Sequence, residues 1–260
     1  MKSNILTDVE LRAHWFRTHA TTYTVAAGTI LTPAARDFLK ERNIALVYGN
    51  VTPESSQKMS MRPIPFRNGR PVYVDAATGK EMTNKPEEMT HLRGNLLVSK
   101  THPRIAFRGQ LDSLQAQIIA LQVWAKCEGE QAASMDLGEL LGFCRALLGA
   151  EVKDEPLPEF HILGLDSTGL RRCSHQVKDT FGIDHPVPSH EMGSLCAGLN
   201  LLRTQVREVE LSAARAFERP DGGFERTDII EGLNRLSSAV YIIFCRQVSG
   251  WYQKQGGKSR

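Results

Sequence analysis

The strongest constraint on this chain is its C-terminal two-thirds, where apolar residues recur at helical spacing and only short Pro- and Gly-bearing breaks interrupt them. The spacing predicts helices over Ser189–Phe217 and Arg226–Tyr252, separated by Arg219-Pro220-Asp221-Gly222-Gly223. Upstream, Ile105, Leu111, Leu114, Ile118 and Leu121 keep one apolar face beyond Pro103. A second helix is expected over Met135–Leu148, with Leu137, Leu140, Leu141 and Leu148 inward. A weaker helix over about Ser167–Thr180 ends before the Pro186–Pro188 break. About five helices joined by short loops predict a mainly α fold, a five-helix up-and-down bundle.

The N-terminal third reads differently. Thr22–Val25 is β-branched or aromatic and predicts a strand. Thr32-Pro33 is a strong helix start, because Thr offers a capping oxygen and Pro at the first position loses no needed N–H. The helix should stop at Asn43 before a strand over Ile44–Tyr48, giving a small α/β appendage. From Val51 to about Pro71 four prolines and little periodicity predict a linker. The run VYVDAATGKEMT then predicts a β-hairpin turning at Ala77-Thr78-Gly79. The expected layout is residues 1–50 as a small α/β unit, 51–99 as linker and hairpin, 100–252 as the catalytic helical bundle, and 253–260 as a basic tail.

Composition removes several classes. Thirty-two basic against 29 acidic residues leave a formal charge of +3. A basic nucleic-acid binder would rest on that charge and the tail alone. No apolar run approaches the ~20 residues of a membrane span. Asp8, Glu10 and Arg12 interrupt any signal-peptide core. A soluble, cytoplasmic chain is expected. The five cysteines are an odd count without a CxxC, which suits core positions in a reducing compartment better than a disulfide scaffold.

Three polar groupings could carry chemistry. Arg203, Arg207 and Glu210 stand at i, i+4 and i+7 on one helix face, where paired guanidiniums suit a polyphosphate. A solvated, salt-bridged face is the other reading of that spacing. Asn234, Arg235, Ser237 and Ser238 put four polar groups within about one turn of an otherwise apolar helix. They either knit helices together or touch a ligand. Lys100, Arg104, Arg108 and Asp112 fall four apart, with Lys100 just ahead of Pro103. That is either a phosphate site at a helix N-terminus or a charged surface stripe.

The runs LLRTQVREVE and GLNRLSSAVYIIFCR resemble the R-x3-R-x2-E and LNRLSD segments of the propanediol-type (PduO-like) cob(I)alamin adenosyltransferases. LVSKTHPRIAFRGQLDSLQAQI resembles their K-x3-R-x4-G-x2-DELN segment. The three motifs stand in the family order over about 100–250. TPAARDFLKERNI and SHQVKDTFGIDHPVP are similar to the ethanolamine-utilisation (EutT) branch, over nearly the whole chain. The resemblance implies transfer of the 5′-deoxyadenosyl group of ATP to the cobalt of reduced cobalamin, with release of triphosphate. By position, Arg203 and Arg207 would bind ATP phosphates, Glu210 would order that pair, and Asn234 would contact the nucleotide. Arg235 would support the nucleotide or a neighbouring subunit, and Lys100 matches a phosphate-region lysine. Asp112 matches the aspartate of DELN. An apolar corrinoid pocket is expected near Phe181–Val187. Mg²⁺ would accompany ATP.

The resemblance further implies a homo-oligomer that supplies adenosylcobalamin to ethanolamine ammonia-lyase, near a bacterial microcompartment. Departures are also visible. Ser238 replaces the aspartate of LNRLSD, and the nearest match to the family's TKxGDxG phosphate loop is the shorter Thr90-His91-Leu92-Arg93-Gly94-Asn95. Val187 falls near a corrin-facing phenylalanine. The HxxxCCxxC metal motif of some ethanolamine-type members has no counterpart, since no His or Cys occurs from Ala20 through Met89. A member without tightly bound zinc or iron is expected. The alternative is a non-catalytic cobalamin carrier or microcompartment adapter that keeps the bundle; loss of Arg203 and Arg207 would leave its ATP binding unchanged.

Overall fold

A computed structural model describes residues 5–8, 11, 15, 21–25, 29–48, 66–67 and 70–256. The chain divides into two compact units, Met1–Pro63 and Ile64–Arg260.

In the first unit, β1 (Ile5–Leu6) pairs in parallel with β3 (Ile30–Leu31), and β2 (Thr22–Val25) with β4 (Ala45–Tyr48). Helix α1 (Pro33–Glu41) starts as its sequence requires. The Thr32 hydroxyl accepts the Ala35 N–H at 3.2 Å, and Pro33 occupies the first position. It ends at Asn43, whose φ of 54° is the left-handed turn this residue tolerates. Phe38, Leu39 and Ala35 on its inner face pack with Leu6, Leu11, Val25 and Ile44. The expected linker lies outside the described residues from 51 to 65.

The second unit opens with a short β5 (Phe66–Arg67) and β6 (Arg70–Pro71) pair. A four-stranded sheet follows, ordered β8-β7-β10-β9, from β7 (Tyr73–Asp75), β8 (Glu81–Met82), β9 (Met89–Arg93) and β10 (Leu96–Ser99). The β7–β8 hairpin is the one read from the sequence. Asp75 holds its turn, accepting the Ala77 N–H at 2.9 Å and the Thr78 hydroxyl at 2.7 Å.

Four long helices carry the core: α2 (Pro103–Cys127), α3 (Gln131–Lys153), α6 (Gly193–Phe217) and α7 (Thr227–Val248). Helix α2 packs on α3 and α6, while α7 packs on α6 and α3, closing a four-sided bundle. The crossover from α3 to α6 carries α4 (Ser167–His175), which packs on α7 as a fifth helix, and α5 (Val177–Phe181). A short α8 (Trp251–Gly256) ends the described chain. Phe107, Leu114, Leu140, Leu147, Val206, Phe217, Leu236 and Ile243 are fully buried at the centre. The mainly α bundle with a small sheet part is therefore observed. No helix of the described residues is long and apolar enough to cross a membrane.

Two polar clusters brace this bundle. Glu151, fully buried on α3, receives Arg104 Nε at 2.7 Å and is gripped by Arg108 through Nε and, at 3.2 Å, through Nη2. Arg108 also donates to the His91 and Leu92 carbonyls of β9, so one carboxylate ties α2, α3 and the sheet together. The expected choice between a phosphate site and a surface stripe resolves into neither for these two arginines. They are structural.

The second cluster fixes the start of α7. Asp228 accepts the Leu157 N–H at 2.8 Å and both Arg226 Nε and Nη2, at 2.9 and 2.8 Å. Burial alone would raise the Asp228 carboxyl. The Arg226 and Leu157 hydrogen bonds outweigh it and hold the group at about 2. Because the folded value lies below the ordinary ~3.9, this contribution to stability is present at neutral pH and is lost as pH falls from about 4 towards 2. Thermal melts across that range should fall more steeply for the native chain than for Asp228→Asn. Parallel curves would rule this out.

Candidate active site

Helices α6 and α7 are joined by the short loop 218–226 and lie side by side, so their sequences run in opposite directions. Residues seven apart on each therefore face each other at both ends of an interval of ~10 Å. At one end, Asn234 Nδ2 of α7 donates to Glu210 Oε1 of α6 at 3.2 Å. At the other, Arg203 lies close enough to Tyr241 for its charge to act on the phenol. Arg207 stands between. These five residues line one cleft of about 530 Å³, together with Leu211, Ser237 and Ser238. That volume is of the size that holds a nucleotide-sized ligand.

The cleft's electrostatics follow from which charges are paired. Arg203 Nη2 donates to Asn200 Oδ1 at 3.2 Å. Among the described residues, no carboxylate lies within ion-pair distance of Arg203 or Arg207. Elsewhere in the bundle arginines 104, 108, 226 and 246 hold carboxylates, whereas Arg235 has none among the described residues. Glu210 therefore does not clamp the arginine pair as expected from the sequence; its short polar neighbour is Asn234, which competes for it from the facing helix. The cleft presents two guanidiniums, an amide and two serines to a ligand, a donor-rich surface that suits phosphate oxygens.

Tyr241 closes one end. Burial, then the neighbouring Cys245, pushes its phenol up to about 12, so it stays protonated near neutral pH. His185, from the loop after α5, stacks on it with centroids 6.1 Å apart and planes 10° from parallel. Its Nδ1 lies 2.9 Å from the Tyr241 hydroxyl. Tyr241 in turn stacks on Phe244. Ser174 and His175, at the end of α4, complete the lining. Among the described residues, no three His, Cys, Asp or Glu side chains come together in a way that could hold a metal ion.

The structure thus gathers Arg203, Arg207, Glu210 and Asn234 in one place. The other candidates stand outside the lining. Lys100 sits between β10 and α2, 3.9 Å from Glu87, with both side chains open to solvent. Arg235 is half-buried on α7, and its Nε is buried without a hydrogen-bond partner. Phe181 packs against the bundle core at the end of α5, whereas Val187 is 79% exposed on the following loop. Asp112 is exposed and accepts from Gln115 on its own helix. The stretch Thr90–Asn95 is β9 and its turn, paired with β10. Its strand backbone is therefore engaged in a ladder, with its His91 and Leu92 carbonyls further bound to Arg108. Sequence reasoning missed Ser174, His175, His185 and Tyr241. Ser174, His175 and His185 stand in the segment SHQVKDTFGIDHPVP, and Tyr241 stands one helical turn beyond the Asn234–Ser238 polar cluster, on the same side.

Comparison with known proteins adds an independent line. The pattern of the family described as cobalamin adenosyltransferase matches residues 82–247, more than half of the chain and all of α2 through most of α7. The protein named corrinoid adenosyltransferase EutT of Salmonella typhimurium is 32% identical over 253 residues, covering 95% of this chain and 93% of that one. The protein of the same name from Escherichia coli is 32% identical over 252 residues, with the same coverage of both chains. No solved structure matches.

Proposed function

The chain belongs to the cobalamin adenosyltransferase family, and from that premise we propose that the cleft between α6 and α7 is where it binds ATP and transfers the adenosyl group to a corrinoid. The observation that carries this reading is the pair Arg203 and Arg207, free of carboxylate partners among the described residues and lining one cleft with Asn234.

The chemistry asks little acid–base work of the protein. Cobalt(I) attacks C5′ of ATP with its own electron pair; the Co–C5′ bond forms, the C5′–O bond breaks, and the electron pair leaves with triphosphate. Negative charge therefore grows on the phosphate chain as the bond breaks. Fixed guanidiniums are worth most where charge develops. Arg203 and Arg207 would hold the phosphates in line and stabilise that leaving group, while Asn234 and the Ser237 and Ser238 hydroxyls would orient the nucleotide. Mg²⁺ would enter with ATP. Glu210, whose Oε1 accepts from Asn234, is the carboxylate of the cleft lining that would hold it. Tyr241, held protonated, supplies a hydroxyl and an aromatic wall rather than a base.

Finer assignments belong to the same proposal. The corrinoid would approach over the loop that carries Val187, supported by the exposure of that apolar side chain. Arg235, with its buried Nε unpartnered, suits a support role towards the nucleotide or a second subunit of a homo-oligomer, and Lys100 a phosphate contact outside the cleft lining. The catalytic part would be residues 100–252. The likeness to EutT proteins supports a product destined for ethanolamine ammonia-lyase, in the cytoplasm or at a bacterial microcompartment. The absence of His and Cys from Ala20 through Met89 supports a member that needs no tightly bound zinc or iron.

The test is anaerobic. Chelator-treated protein given Mg-ATP and chemically reduced cobalamin should form light-sensitive adenosylcobalamin that activates apo-ethanolamine ammonia-lyase. Formation only after adding Zn²⁺ or Fe²⁺ would refute the metal-free assignment, and no formation with any metal would refute the transferase reading.

A further inference from the structure

The last turn of α4 brings to the cleft a group outside the arginine, asparagine and lysine motifs. His175 lines it with Arg203, Arg207 and Ser174. Its side chain is exposed and has no hydrogen-bond or ion-pair partner among the described residues. The position is not accidental to the fold. Asp166 caps α4 by accepting the Gly169 N–H at 2.7 Å, and the Ser167 hydroxyl donates to Glu231 of α7 at 2.8 Å, so the start of α4 is pinned to α7. Leu170 is buried in the core beyond it. With its start and middle anchored, the end of this short helix is set beside the cleft.

The elements around His175 carry both cations and carboxylates, the latter including Asp179 on α5. Arg203 and Arg207 come from α6, with Glu210 at the far end and hydrogen-bonded to Asn234. Tyr241 comes from α7 as a neutral phenol, backed by His185. Arg171 and Arg172 precede it on its own helix, and on α5 Lys178 is occupied by Asp184 at 3.0 Å. From α7, Glu231 is engaged at the opposite end of α4. An imidazole changes charge near neutral pH. A polyphosphate bound beside it favours the imidazolium, which donates an N–H to a phosphate oxygen.

We infer that His175 is a third polyphosphate contact of the cleft, one that takes up a proton when the phosphates bind. The inference rests on the reading of the cleft as the phosphate site, and it adds a residue outside the arginine motif. It makes phosphate binding proton-linked: the site grips triphosphate more tightly as pH falls through the neutral range.

Inorganic tripolyphosphate is the probe, titrated by calorimetry into the full chain at one neutral pH in two buffers of different ionisation enthalpy. The native protein should show a buffer-dependent heat that reports proton uptake. His175→Gln, which keeps a polar side chain at an exposed position, should lose that uptake and bind about tenfold more weakly, the effect of one charge-assisted hydrogen bond. An unchanged proton count in His175→Gln overturns the inference. Arg203→Ala separates the two levels of the argument. If it binds as tightly as the native chain, or if the native chain binds no tripolyphosphate, the phosphate site itself is wrong. If it binds weakly while His175→Gln keeps the native proton count, only the role of His175 falls.

Discussion

Arg203→Ala and Arg207→Ala should each weaken ATP binding and slow adenosyl transfer by about 10- to 100-fold, the effect of losing ~1.5–3 kcal/mol of charge-assisted hydrogen bonding. Part of the loss should appear in kcat, because triphosphate carries more charge in the transition state than in bound ATP. The double variant should fall short of the product of the two single effects. The residues lie one turn apart on α6 and would share one phosphate chain, so their contributions couple. Arg→Lys at either position should recover only part of the activity, since an ammonium cannot give two parallel N–H bonds to one phosphate. Folding should be untouched, because both guanidiniums lie in an open cleft and neither holds a carboxylate. ATP dissociation constants and single-turnover rates for these variants, with melting curves as the control, decide the matter. Affinities within twofold of the native chain would remove the arginines from the site.

The second large effect is on stability. Glu151→Ala should cost about 3–5 kcal/mol, because it strands two half-buried guanidiniums whose only buried counter-charge among the described residues is that carboxylate. For a unit of this size that corresponds to a fall in Tm on the order of 10 °C. Glu151→Gln should be milder, as the amide keeps one acceptor for Arg104 or Arg108. The loss should reach beyond the bundle, because Arg108 also holds the β9 carbonyls. Hydrogen exchange of the β9–β10 hairpin should therefore rise with the fall in Tm. An alanine variant melting within a degree or two of the native chain would mean that water replaces the carboxylate at little cost.

How far the sequence could be read depended on how each feature is encoded. The start at Thr32-Pro33 was clear because a cap and a proline stand together, and Pro103 alone marked the start of α2, whose cap is His102. The long apolar stripes of α2, α6 and α7 were clear because each buries one face along its whole length. Helix α3 was read as ending at Leu148, yet it continues to Lys153. Its last buried side chain is Glu151, and a carboxylate in the core is invisible to a pattern of apolar residues. Three expected single helices are broken: at Gln176 between α4 and α5, at Gly193, with φ of 85°, between the 3-10 turn His190–Met192 and α6, and at Gly250, with φ of 66°, between α7 and α8. The two strands β9 and β10 were missed because Leu96-Leu97-Val98 is a continuous apolar run without alternation. At the site, the residues on one helix face could be grouped by spacing. Those contributed by α4 and by the loop after α5 could not, since nothing local in the sequence records that a crossover returns to α7.

That crossover has an evolutionary reading. The bundle helices bring the arginines and the asparagine, and each of those helices is also packed into a core that tolerates little change. The wall made by Ser174 and His175, and the His185 that stacks on Tyr241, come instead from the excursion between α3 and α6, where most side chains bear no packing duty. On the proposed reading of the cleft, substitutions at the exposed positions there would retune which phosphate chain is accepted while Leu170 and the Ser167–Glu231 contact keep α4 in place. Divergence among relatives in substrate preference should accordingly concentrate in the exposed positions of residues 167–192.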